Sequence, residues 1–452
     1  MPPPDADYYV ALDALIHPIA ASRLPDTLEP MRALLAALDH PHRAFPVVVV
    51  AGSTGKGTTA LRLAAGLAAG DMRVGLYTSP HLHSFRERFA VLELAATQEN
   101  PELPGRQEEN HRYRLSDLGV LAVHRFLSAE IRASLLSPSD FTAHAQAVDE
   151  AAKVAGLAPS TFERATALAF RWFAGQRMDL AVCEIGLGGR FDAVNAAPNV
   201  LALLGPIERE HAAMLGGTLE RIAWHKAGVI APGGAAVALL PREPEVRAVL
   251  EAEAAQKGAS LIFAEDVAAA GLEVLRERGL ASPNATIPPN VVLPGRLERV
   301  TVSGRHVLID GGHTPFAARR LAEAIAPDRS GGVCVVAGML ADKDAVAYLS
   351  ELDRSGVRLL CTTAPADRAL SAERLAAAFA PKQARAAIEP TFEQALAYGL
   401  ASDAALVVVA GSLRMAAAAR EVLGLLDAEA LEEARRTRAL FEGDTYRARW
   451  QG

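Results

Sequence analysis

Cysteine is almost absent from this chain. The three present, Cys183, Cys334 and Cys361, are too few and too scattered for a disulfide framework or a zinc site. Each sits in an apolar run, where a thiol behaves as a small hydrophobe. A surplus of basic residues is missing too: 46 Lys and Arg face 53 Asp and Glu, a net charge of −7. That balance argues against a nucleic-acid coat or a membrane-surface protein, so any anionic ligand must be held by local geometry. The opening MPPPDADYYV has neither the basic start nor the apolar core of a secretory leader, and no uninterrupted apolar run approaches the roughly 18 residues of a membrane span. Internal repeats and low-complexity tails are also missing. The expectation is a soluble, cytoplasmic protein with no nucleic-acid or membrane partner.

What is present is apolar residues, half of the 452, enough for two or three domains with their own cores. The dominant rhythm is a short β-branched run, a Gly or Ser turn, then an Ala/Leu-rich helix. Strands are expected at 45–52, 73–79, 178–186, 199–205 and 235–241, and again at 306–312, 332–339, 357–363 and 405–411. These runs are apolar throughout rather than alternating, as parallel strands covered on both faces are. The fold class is therefore α/β, doubly wound. The proline-rich SPNATIPPNVVLPG (282–295) reads as a linker, which divides the chain into domains 1–294 and 295–452. From about residue 93 to 140 the rhythm breaks: a polar, turn-rich stretch precedes an expected helix, LGVLAVHRFLSAEIRASLL.

VVVVAGSTGKGTTALRLAAG is a buried strand, a glycine-rich turn and a helix. Gly52, Gly55 and Gly57 allow close backbone approach to a phosphate, Lys56 can reach the β/γ-phosphates, and the Thr58 or Thr59 hydroxyl can hold Mg²⁺. Gly57 between Lys56 and Thr58 departs from the usual spacing. Polar residues also gather at the ends of other strands, where open α/β sheets bind ligands. LYTSPHLHSFRER offers Ser79, His81 and Arg86. CEIGLGGRFDAVN places Glu184 inside an apolar strand, ahead of Arg190 and Asp192. The stretch from Leu203 to Ile230 offers Glu210, His211 and Lys226, and LIDGGHTP offers Asp310 and His313. A carboxylate such as Glu184 is costly to bury alone, so a metal or a lysine is its natural partner. Read singly, Ser79 is a turn residue, Lys226 a solvated helical side chain, and Asp310 a cap for the next helix.

Together, AGSTGKGT, YTSPHL with RER, CEIGLGGRFDAVN, EHAAMLGGTLERIAWHKAGVI, PGRLE, DGGHTP, GMLADKD and VVVAGS resemble the folylpolyglutamate synthase/dihydrofolate synthase family of Mur-type ATP-dependent amide ligases. The resemblance implies a P-loop-type central domain followed by a smaller Rossmann-like domain, the first binding ATP and pterin and the second serving glutamate ligation. It implies ATP held by Thr54, Gly55, Lys56, Gly57 and Thr58, with Arg296, Asp310 and His313 added from the second domain. Ser79, Glu184 and His211 would hold Mg²⁺, together with Lys226 as a carbamate; Lys56, His211 and Lys226 would be the catalytic groups. Thr161, Phe162 and Asp192 would face the pterin. The implied substrates are dihydropteroate or a reduced folate and L-glutamate, joined through an acyl phosphate by a monomeric enzyme of folate biosynthesis. The chain departs from the family at Thr54 and Thr314, where asparagine is usual, at Glu210 for aspartate and at Gly312 for alanine. An insertion follows RER, and a segment before PGRLE is shortened, leaving Asp266 where an adenine-contacting asparagine is expected. A Mur-type ligase for another acid, and a nucleotide-binding paralogue without ligase activity, are the alternatives.

Overall fold

Valine runs set the centre of each half of the molecule. The computed structural model describes residues 5–16, 26–95, 131–353, 357–378 and 387–442. They form two compact units: Met1–Val291 with Glu432–Gly452, and Val292–Leu431.

The first unit is built on an eight-stranded sheet in the order β4-β3-β2-β5-β1-β6-β7-β8. Its strands are β1 (Val47–Ala51), β2 (Val74–Tyr77), β3 (Phe89–Leu94), β4 (Ile131–Leu135), β5 (Leu180–Glu184), β6 (Asn199–Leu204), β7 (Ala235–Leu239) and β8 (Ser260–Ala264). From β2 to β8 every pairing is parallel, while β3 and β4 add an antiparallel edge. β1 lies at the centre and is wholly buried, which is why VVVVA has no polar face. The helices are α1 (Ala6–Leu15), α2 (Glu29–Ala37), α3 (Lys56–Ala69), α4 (Pro138–Val154), α5 (Thr161–Gly175), α6 (Leu219–Ala227), α7 (Pro244–Gln256) and α8 (Val267–Glu277).

Two expectations are corrected here. Residues 131–135 of the expected helix form β4, paired with β3 from Leu94↔Ile131 to Ala90↔Leu135; residues 118–130 of that stretch, and most of the insertion, lie outside the described residues. The linker is partly packed: Ala285 is buried, and Gly66 of α3 and its C-cap Gly70 leave the space that Ile287 and Ala285 fill.

The second unit has six strands in the order β13-β12-β11-β14-β10-β9. They are β9 (Glu298–Val302), β10 (Arg305–Asp310), β11 (Val333–Ala337), β12 (Arg358–Cys361), β13 (Ala387–Ile388) and β14 (Leu406–Ala410). β9 and β10 form an antiparallel hairpin, and the other pairings are parallel. Around them run α9 (Pro315–Ala324), α10 (Ala345–Asp353), α11 (Ala372–Ala378), α12 (Phe392–Ala401) and α13 (Leu413–Val422). The last helix, α14 (Ala428–Glu442), passes from the second unit's residues to the first's at Glu432. The sequence assigned everything after 294 to one domain; the return of the C-terminus comes from Glu433 and Phe441, which pack on the loop before β3.

Candidate active site

β1 delivers the chain to a loop that only glycine permits. Gly52 has φ +149, and a Cβ on it would stand 3.1 Å from Gly205 Cα, so the loops after β1 and β6 meet backbone to backbone. The Ser53 amide donates to Pro206 O at 2.7 Å, and the Glu208 amide donates to Ser53 Oγ at 2.9 Å, lacing the two loops together. Gly55 then adopts φ +75 as the N-cap of α3, with no side chain capping that end. The first N–H groups of α3 are thus directed outward from a positive helix end, the arrangement that receives phosphate. Gly55 is exposed, and Thr54, Lys56, Gly57, Thr58 and Thr59 are partly buried around it.

Glu184 ends β5 one strand away and is buried. Its Oε2 accepts the Ser79 amide at 2.9 Å, and its Oε1 lies 3.8 Å from Lys56 Nζ. The lysine expected as its partner is therefore the one from the phosphate loop.

Lys226 overturns its bland reading. The last turn of α6 buries it to 4% exposure, and its Nζ donates to Gly52 O at 2.9 Å. Burial, helped by the neighbouring Lys56 charge, lowers its pKa to about 7, against the pull of Glu210, Asp192 and Glu208. The turn that carries it is held from behind. Arg190 lies over the Trp224 ring at 3.9 Å and donates to Trp224 O and to Glu253 Oε2, at 3.1 and 2.6 Å. Lys257 donates to Gly228 O and Ile230 O just beyond the helix, at 3.0 and 2.7 Å.

Asp192 is buried and accepts the Gly186 and Leu187 amides on Oδ2, at 2.9 and 3.0 Å, and the Val194 amide on Oδ1 at 3.0 Å. Burial raises its pKa to about 6 despite those donors and Lys56. It organises the glycine turn after β5, where Gly186 leaves room for the Phe162 ring, which would stand 2.7 Å from a Cβ there. Thr161 opens α5, behind a capping box of Ser160 and Glu163. His211 sits in the loop after β6 with φ +52, its side chain 42% exposed and Nε2 3.8 Å from Glu210 Oε1.

Arg86 does not join this group: its guanidinium is clamped by Glu433. The residue the sequence passed over is Arg88, two positions on. Its Nε donates to His81 Nδ1 at 3.2 Å, and burial lowers its pKa while the Tyr77 and Glu184 charges oppose the shift. The second arginine of RER was its only signal. Asp266 caps α8 through the Ala269 amide and forms a bidentate pair with Arg62, at 2.9 and 2.7 Å.

In the second unit Asp310 ends β10 and is buried. It accepts the Leu297 amide at 3.1 Å and the Gly312 amide at 3.0 Å, and burial raises its pKa. It thereby ties PGRLE to DGGHTP, placing Arg296 beside it, while the helix cap is Thr314, which accepts the Ala317 amide at 3.2 Å. His313 Nδ1 lies 3.4 Å from Gly311 O. Glu298 of the same motif is buried; it accepts the Gly295 amide at 2.7 Å and pairs with Arg420.

Residues 295–413 match the Mur ligase, glutamate ligase domain family. The chain resembles dihydrofolate synthase/folylpolyglutamate synthase of Mycobacterium tuberculosis, 29% identical over 89% of this chain and 91% of that protein. These matches support the folylpolyglutamate synthase/dihydrofolate synthase family for this chain. Among solved structures, Escherichia coli FolC in complex with DHPP and ADP is 26% identical, with a TM-score of 0.73 over 94% of this chain and 98% of that one. A bifunctional folylpolyglutamate synthase/dihydrofolate synthase with Mn, AMPPNP and L-glutamate bound is 25% identical, with a TM-score of 0.71 over 94% of this chain and 100% of that one. These family members share the α/β architecture of both units, and no helix among the described residues is long and apolar enough to cross a membrane.

Proposed function

We propose that the chain is an ATP-dependent ligase joining L-glutamate to the carboxylate of dihydropteroate or a reduced folate. One observation carries this reading: a buried amine, Lys226, hydrogen-bonded to the first glycine of a phosphate loop. A carboxylate is a poor electrophile. Transfer of the γ-phosphoryl of ATP to it gives an acyl phosphate and ADP; the glutamate amine then displaces phosphate and forms the amide. Little covalent work is left to the protein, which positions the reactants and neutralises charge.

The α3 N-terminus and the amides from Thr54 to Thr58 cradle the phosphates, and Lys56 follows the γ-phosphoryl. Arg296, Asp310 and His313 are assigned to the nucleotide from the second unit. Thr161, Phe162 and Asp192 are assigned to the pterin. Phe162 is partly buried beside the turn that Asp192 organises, where a flat heterocycle can stack. The first unit thus serves ATP and pterin and the second glutamate, in a monomeric enzyme.

With a pKa of about 7, Lys226 presents the neutral amine needed to capture CO₂, forming a carbamate and releasing one proton. That conversion places an anion where Lys56 already supplies positive charge. The donors then suit Mg²⁺: the Ser79 hydroxyl, the Glu184 carboxylate and the Lys226 carbamate offer the hard oxygens it prefers, with His211 in the adjoining loop. No three His, Cys, Asp or Glu side chains gather as a metal cage among the described residues. A cation held partly by water and phosphate needs none. When bound, Mg²⁺ supplies positive charge at the phosphoryl oxygens.

The test is ADP release from purified protein with dihydropteroate, tetrahydrofolate or UDP-linked acids, each with and without glutamate. Glutamate-dependent release with a pterin acid is expected; release with only a UDP-linked acid would move the chain to another ligase branch. Lys226→Ala should abolish nearly all of this release, with partial rescue by small carboxylates. Full activity in that variant would remove Lys226 from the mechanism.

A further inference from the structure

The loop between β2 and β3 carries Ser79 at one end and Arg88 at the other, both beside Glu184. Its interior faces the C-terminal helix. Glu433 accepts Arg86 Nε on Oε1 at 3.0 Å and Arg86 Nη2 on Oε2 at 2.7 Å, and it also accepts the Ser84 hydroxyl. Ser84 Oγ in turn receives the Arg86 amide, and the Glu87 carboxylate gathers the Leu82, His83 and Ser84 amides at 2.7, 3.0 and 2.9 Å.

Eight residues along the same helix, Phe441 stacks on Phe85, with ring centroids 6.0 Å apart and planes 15° from parallel, and touches the His81 ring at 5.1 Å. The Arg88 guanidinium also lies over the Phe85 ring, at 4.6 Å. Phe85 therefore links Phe441 to Arg88, and His81 links them again through its bond from Arg88 Nε.

We infer that the C-terminal helix is a positioning element of the active site, Glu433 and Phe441 fixing the loop that presents Ser79 and Arg88. Neither residue reaches reactants itself; each acts through the loop. A largely buried charge-assisted pair and a ring stack are more restraint than fastening a chain end requires, and both converge on one ten-residue segment. The inference rests on the ligase reading for its catalytic consequence, though not for the restraint itself.

Two full-length variants test it, Glu433→Gln and Phe441→Ala, by hydrogen exchange and by steady-state kinetics. Exchange across 79–88 should quicken by about tenfold or more, as loss of a charged hydrogen bond implies, while β1 and the phosphate loop, 47–59, stay at the wild-type rate. The kcat for glutamate-dependent ADP release should fall by roughly tenfold or more with the KM for ATP within about twofold, and Glu433→Asp should recover most of it. Either readout remaining at its wild-type value in both variants overturns the inference. So does exchange that quickens equally in 47–59, which would make the helix a contributor to overall stability alone. A wild-type chain with no glutamate-dependent ADP release sinks the ligase reading instead, and the exchange measurement still judges the restraint.

Discussion

His42 shows how one buried side chain makes the fold sensitive to acid. It lies against Phe170 under α5 at 6% exposure, and burial, with the Arg43 and His40 charges, lowers its pKa to about 4. The unfolded chain protonates this ring as the pH falls through about 6.5, whereas the folded chain holds it neutral to about 4. The stability carried by the neutral ring is therefore complete above pH 6.5 and lost as the pH falls through that window, about 3 kcal/mol. His144, beside Arg171, shifts the same way. His42→Leu should lose less stability than wild type between pH 7 and pH 4 in urea unfolding; equal losses would exclude His42 as a source. Glu184 was legible in the sequence because a carboxylate in an apolar strand needs a partner. Lys226 was legible only through the resemblance of its motif: helical spacing alone favours solvent, and its burial was not readable because it depends on Gly52 O and on a turn held from behind by Arg190 and Lys257.

At the scale of elements, the parallel strands were readable and the edges were not. β1, β5, β11 and β14 are buried along their whole length, so their sequences carry an uninterrupted apolar run. β8, β9 and β13 are edge strands with mixed or exposed faces, and β4 was submerged in a helical pattern. The motif PGRLE was recognised for Arg296, yet its glutamate anchors the element. Glu298 begins β9, binds the Gly295 amide, and pairs with Arg420 of α13, both side chains at 2% exposure or less. Glu298→Ala should destabilise the second unit by about 3–5 kcal/mol, because it strands a buried guanidinium. Guanidinium unfolding of the full chain would show this as an early transition confined to the second unit's signals. A cost below about 1 kcal/mol, the worth of an exposed pair, would mean that Arg420 finds another partner.

For the whole molecule, chain order misleads at its end. Residues 432–442 follow the second unit in sequence and group with the first in space, and nothing in the composition of α14 announces that return. The insertion is the converse case, visible as a break in rhythm but not in its attachment. Its attachment is a hairpin: Leu94 and Ile131 are paired neighbours in β3 and β4 at the sheet's antiparallel edge. Replacing 96–130 by a short Asn-Gly turn should therefore leave the first unit folded, with an unfolding midpoint within a few degrees of wild type, roughly the effect of 1 kcal/mol. A midpoint lowered far beyond that would show the segment to be part of the core. The spacing of those two anchors has a wider consequence. Closing a longer loop costs only about 0.6 kcal/mol for each doubling of its length, so a hairpin tip tolerates cargo of very different sizes. The edge of this sheet is a docking port for new sequence, where a lineage can trial an added peptide, or an experimenter a reporter domain with neighbouring termini, while the strand ends that carry the phosphate loop and Glu184 keep their register.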